Sequence, residues 1–302
     1  MNLFTGDSVE SIFSALKNYR HSESLAGLYV LVDRINGLPS ALEDILDSLP
    51  TSSRTPLVDA SLIKYPEKAL ELVWLTEAED DVLKASVEYA FETSQPPRYG
   101  FSHSCVTGWL FSSDPARYLV RDCLIMMDQV NQNGEGVYFR AFDPRIRNAL
   151  KRLTKSPLPG DIQGGALAWA YLDTNGSLLV DKSSPTSKLQ LNPTIWKGLD
   201  RLTYLHPALM EWATQHKNHP DAEVVISADE LIRRALDVHR LNNNEDIKTF
   251  VVYGLDAEPL FDQQSNFLEI IRNTLKEYQP LSEQLNQLQK GSSAQSFAST
   301  ES

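Results

Sequence analysis

The chain has 302 residues, 42% of them hydrophobic, which is enough apolar material for one large domain or two smaller ones and excludes a largely disordered chain. Its formal net charge is -12 and its sequence pI about 5.0, a balance that repels nucleic acid and anionic lipid. Only two cysteines are present, Cys105 and Cys123, in no paired spacing, which argues against a disulfide framework or a zinc site and fits a reducing compartment.

Residues 8–20 space Val9, Ile12, Phe13 and Leu16 as one helical face, with Asp7 or Ser8 to cap it. The N-terminal run lacks a basic region followed by a continuous apolar core, so no secretory signal is expected. No apolar run approaches the length of a membrane span. "LAGLYVLVD" predicts a buried strand ending at Asp33, and "LPSALEDILDSL" a helix starting at Pro39 or Ser40. A short strand is expected over 55–60. Residues 66–75 fit helix or strand equally, and 79–93 fit a helix. "YGFSHSCVTGWLFSS" is an extended stretch.

The dipeptide Asp-Pro occurs twice ahead of helical periodicity. In "DPARYLVRDCLIMMDQV" Asp114 is the expected cap and Pro115 the first helical residue. In "GVYFRAFDPRIRNALKRL" a strand runs to Phe142, Asp143 caps and Pro144 opens a helix, with Lys151 and Arg152 at its cation-favouring end. Arg140 lies inside the apolar strand and shares a face with Tyr138 and Phe142. It needs a carboxylate, for which Asp143 and Asp33 are the candidates.

"KSPLPGDIQGG" (155–165) reads as a boundary. A hairpin turning at Asn175-Gly176 follows. The rest is helical, including a capping box of Ser227 and Glu230. The expected organisation is a mixed α/β (α+β) fold: an N-terminal α/β lobe with a small sheet over 1–155, a mainly helical lobe over 156–290, and a small polar disordered tail over 291–302.

Motifs that carry chemistry are missing. There is no P-loop, nucleophile elbow, dinucleotide fingerprint or zincin helix. "SHSC" gathers Ser102, His103, Ser104 and Cys105, but neighbours on an extended chain point to opposite faces. His216 and His219 make only two imidazoles at a helix end, too few for a metal. Met126 and Met127 read as core. No cofactor, metal or catalytic residue is therefore assigned. A hydrolase using Cys105 or Ser104 stays open as an alternative, as does an immunity-type protein that neutralises a toxin.

The order of these elements, with Phe139, Arg140, Phe142, Asp143, Pro144 and Arg145 in an F-R-x-x-D-P-R-like signature and Tyr29, Leu31 and Asp33 in the first strand, resembles the type VI secretion adaptor family. These are effector chaperones associated with a VgrG spike protein. The resemblance spans about residues 25–153, with 65–75 departing from the family's middle segment. It implies a non-enzymatic cytoplasmic protein, not itself secreted, whose partners are a cognate effector toxin and, directly or through it, the VgrG spike. Neither nucleic acid nor a membrane is implied.

Overall fold

A computed structural model describes residues 8–22, 27–58, 65–154, 166–182, 191–277 and 279–286. The chain divides into two compact units, Met1–Asp200 and Arg201–Ser302.

The first unit is built on a six-stranded antiparallel sheet in the order β2-β3-β1-β4-β7-β8. Its strands are β1 (Gly27–Asp33), β2 (Arg54–Leu57), β3 (Leu70–Leu75), β4 (Val106–Ser112), β7 (Ala168–Leu172) and β8 (Leu178–Lys182). β1 is buried along nearly its whole length, so it carries apolar residues on both faces. Leu28, Val30 and Val32 meet α1 (Val9–Ser22), α2 (Ser40–Asp47) and α3 (Asp80–Glu92) on one side. Tyr29 and Leu31 meet α4 (Ala116–Met127), α5 (Pro144–Thr154) and α6 (Pro193–Asp200) on the other. Each fully buried Leu, Val or Phe in these two cores contributes about 1.5–3 kcal/mol. The mixed α/β class expected from the sequence is what the structure has.

β4 bends where it pairs with β1: Leu31 faces Gly108 and Val32 faces Val106, which leaves Thr107 extra. Gly108 is there because the next strand comes too close for a side chain. A Cβ would lie 2.6 Å from both the Ala170 carbonyl oxygen and Trp169 Nε1. The bulge turns Trp109 into the first core, where its indole N–H donates to Ser86 Oγ at 2.9 Å.

Several local expectations need correction. The strand expected over 136–142 is only β6 (Gly136–Tyr138), paired with β5 (Asp128–Val130) in a separate ribbon. Residues 139–143 leave it as a turn, with Asp143 N–H donating to the Arg140 carbonyl. β5 also ends α4 at Met127, before the expected "DQV". Asp114 does not cap α4. Pro115 itself holds the extended cap position, while the Asp114 carbonyl accepts from the Tyr29 hydroxyl at 3.1 Å. The hairpin turn is three residues rather than two: Asp173 pairs with Ser177, and Gly176 takes the left-handed position at φ +80°. The stretch 155–165 and the tail 291–302 lie outside the described residues. The division between the units falls after Asp200 instead of near 155, because β7 pairs with β4 and so adds its hairpin to the first sheet.

The second unit is helical among its described residues: α7 (Leu202–His216), α8 (Ala222–Asp237), α9 (Asn244–Asp256) and α10 (Ser265–Glu277). Leu205, Leu209 and Ala213 form the buried stripe of α7. Phe250, Phe261 and Phe267 make a ring cluster with centroids 4.8 to 5.9 Å apart. Ser227 lies inside α8 and caps nothing. The cap is Asp221, whose carboxylate accepts from Val224 N–H at 2.9 Å. The acidic-looking Ser-Ala-Asp-Glu run mimics a start signal, but apolar Val224 and Val225 already continue the helix ahead of it.

Candidate functional site

The signature residues converge at one end of the first unit, where β1 stops, the segment before β4 passes and α5 begins. Asp33 closes β1 and is 2% exposed. One of its carboxylate oxygens accepts from Arg140 Nη2 at 2.7 Å and contacts His103 Nε2 at 2.9 Å. The other accepts from Ile35 N–H at 3.0 Å. These contacts join residues 107 apart in sequence to a third segment between them. The His103 and Arg140 partners outweigh desolvation and hold the Asp33 carboxyl below its ordinary range.

Asp143 does two jobs. It caps α5, accepting from Arg145 N–H at 3.0 Å, with Pro144 at the first helical position where no N–H is needed. Its carboxylate also receives Arg145 Nε at 3.0 Å and Nη2 at 2.6 Å, a two-pronged pair. Arg145 Nη1 then donates to the Phe101 carbonyl at 3.1 Å. Arg140 stands 3.8 Å from Asp143 and so bridges the two carboxylates. Its guanidinium lies over the Phe142 ring at 4.9 Å. The Asp143 carboxyl is held low by Arg145 and Arg140 despite its burial. Phe139 packs edge-on against Trp196 at 5.8 Å, and Phe142 is buried. Tyr29 points away from the cluster, toward Asp114, with its hydroxyl pKa raised by burial and by that carboxylate.

Sequence reading named Asp33 or Asp143 as the partner of Arg140, and the structure joins it to both. It noted His103 only within the SHSC group and did not place it beside Asp33; the backbone pair of Asp33 N–H with the Cys105 carbonyl, which carries His103 past the end of β1, is a contact that only the fold supplies. It also did not find Arg147. That side chain is fully buried, lies 4.3 Å from the Trp169 ring centre and reaches Asp181 at 3.3 Å, with Lys151 on the same carboxylate at 2.5 Å. The signal was present: Arg147 falls three residues before Leu150, on the buried face of α5.

A small cavity adjoins the cluster, lined by Ser102, Ser104, Asn148 and Thr174 beside Asp143 and Arg145. Its volume of about 20 Å³ suits roughly one water and no organic substrate. The two candidate nucleophiles are poorly disposed. Burial pushes the Cys105 thiol up, and the Ser104 hydroxyl donates to the Val106 carbonyl at 2.6 Å. Among the described residues no three His, Cys, Asp or Glu side chains group as a metal site, and no helix is long and apolar enough to cross a membrane. What the arrangement does chemically is tie three distant segments together through alternating charges. No protein-family model matches the chain, and no curated protein and no solved structure matches it.

Proposed function

We propose that this chain is a non-catalytic cytoplasmic adaptor that binds one cognate type VI secretion effector and helps load it onto the VgrG spike. The observation that carries the reading is the meeting of Asp33 with Arg140 at 2.7 Å, beside the Asp143–Arg145 pair. The residues behind the resemblance come from two separate elements, and they act as one clamp. A clamp that fixes the chain between β6 and α5 gives a partner a rigid surface, and rigidity lowers the ordering cost of binding. Arg140 is 28% exposed and Arg145 21%, so both also present a guanidinium edge to a partner. The raised Cys105 thiol and the engaged Ser104 hydroxyl weigh against a hydrolase.

The test is a pull-down of the tagged full chain from cells co-expressing an effector and a VgrG spike, each also tried alone. Retention of the effector, with the spike joining only in its presence, is the expected result. Retention of neither by folded protein overturns the reading. The Arg140→Ala chain sharpens it: wild-type melting with lost effector capture makes Arg140 a contact residue, while lowered melting makes it a clamp.

A further inference from the structure

The second unit carries two open grooves that share one wall. The first, about 440 Å³, runs between α7 and α9 and is lined by Glu211, Val252, Tyr253, Asp256 and Leu285. The second, about 570 Å³, lies past the start of α9 and is lined by Leu241, Glu245, Asp246, Leu275 and Pro280. Ser282 borders both. The wall between them is therefore the short helical stretch 281–286.

That stretch is seated by two leucines and one cap. Leu281 and Leu285, four residues apart on one helical face, are 0% and 5% exposed. Leu281 N–H donates to the Asp246 carboxylate at 2.8 Å, which caps the turn from α9. Ser282, Glu283 and Asn286 face solvent. The bed thus accepts an apolar i, i+4 pair on a helix, and among the described residues it continues as open groove on either side of the pair. Its rim holds Glu211, Asp256, Glu245 and Asp246. Against these four carboxylates stand Lys248, which pairs with Glu211 and Glu245, and His216, which pairs with Asp256. The rim therefore has carboxylate to spare, while the resident stretch brings an acid, Glu283, and no cation.

We propose that residues 281–286 are a displaceable occupant of a helix-receiving groove, and that an amphipathic helix of a partner protein, with the same apolar i, i+4 pair and flanking Lys or Arg, takes their place. The seated stretch defines the shape of the guest, and the rim defines its charge. The resident competes at the high effective concentration of a tethered segment, so a guest prevails through the charges the resident lacks. The inference rests on the loading reading only for naming the guest as a segment of the effector.

The test uses the full chain and a fluorescein-labelled peptide of residues 279–290 carrying Glu283→Lys. Binding by anisotropy is expected to be at least tenfold tighter to a chain with Leu281→Asp and Leu285→Asp than to wild type. Adding Asp256→Lys to that chain is expected to weaken it several-fold. A folded Leu281→Asp/Leu285→Asp chain that binds the peptide no better than wild type overturns the proposal. Hydrogen exchange on the wild-type chain decides independently of whether that variant folds: the amides of 281–286 are expected to exchange at least a hundredfold faster than those of 250–252, and equal rates overturn it. Because neither measurement uses an effector, peptide binding with a failed pull-down removes the loading reading alone, and the reverse removes the groove.

Discussion

The two units solve the same problem of buried charge at different ranges. In the first, Asp33 and Arg140 meet across 107 residues, and Arg147 reaches Asp181 across 34. In the second, Asp262 is bound by Arg234 and His239, only 28 and 23 residues away. A sheet with β1 near its middle brings remote segments side by side, so its ion pairs work as staples between them. In the helical unit the buried carboxylate, Asp262, draws both partners from α8 and the residues just after it, so this cluster fastens one corner. Stability in the first unit should therefore depend more steeply on single charges.

The largest expected effect is at Arg147. Arg147→Ala empties the space against Trp169 and leaves Asp181 with Lys151 as its remaining cationic partner among the described residues. A loss of about 3 kcal/mol is expected, low in the range of about 3–5 kcal/mol for broken buried pairs because Lys151 stays. Urea unfolding of the full chain measures it. Gly108→Ala drives a methyl into the Ala170 carbonyl and the Trp169 indole, and about 1–3 kcal/mol should be lost in the same assay. Arg140→Ala should cost about 1–3 kcal/mol, since Asp33 retains His103. Equal losses from Arg140→Ala and from Arg234→Ala would break the contrast between the units.

Acid separates the units further. Burial and Arg234 hold the His239 imidazole below its ordinary 6.5. Its contribution is present above pH 6.5 and is lost as pH falls from there toward the lowered folded value. Asp33 and Asp143 lie below the ordinary 3.8, so their contribution is present above pH 3.8 and is lost only as pH falls through the still lower folded values. Hydrogen exchange followed by mass spectrometry should therefore show the second unit loosening first, beginning near pH 6.5. Loosening of the first unit ahead of it would reverse the comparison. The smallest effect separates two helix starts: Asp221→Ala should cost about 1 kcal/mol and Ser227→Ala almost nothing, read from thermal melts.

Much of this was legible in the residues. The apolar run of β1 and the Asp143-Pro144 start follow from local rules and appear where those rules put them, and the hairpin at Asn175-Gly176 appears there with a turn one residue longer. The identical Asp-Pro at 114–115 behaved differently: Pro115 takes the extended cap position, and the Asp114 carbonyl accepts from Tyr29, 85 residues away. β5 escaped notice because a three-residue strand carries no periodicity, and β6 was expected only as part of a longer strand running to Phe142. The clamp was half visible: an arginine in an apolar run announces a carboxylate, and Asp33 and Asp143 were the candidates, but their joining through one guanidinium required the sheet order. His103 needed that order too, while the place of Arg147 on the buried face of α5 was readable and its partner Asp181 was not. The grooves of the second unit left no trace in the sequence, since a concavity is a property of how helices pack.

The position of β1 between β3 and β4 has a consequence for biosynthesis. The ribosome delivers β1 before either of its neighbours, so this nearly all-apolar strand leaves the exit tunnel with both edges bare. One edge waits for Leu70–Leu75 and the other for Val106–Ser112. The Asp33 side chain waits longer still, until Arg140 is made. During translation, then, the nascent chain displays a sticky ribbon of Leu, Tyr and Val with a single acidic end. That interval is when a ribosome-bound holdase would matter most to this protein, and slowing elongation between β1 and β4 should raise its aggregation in the cell.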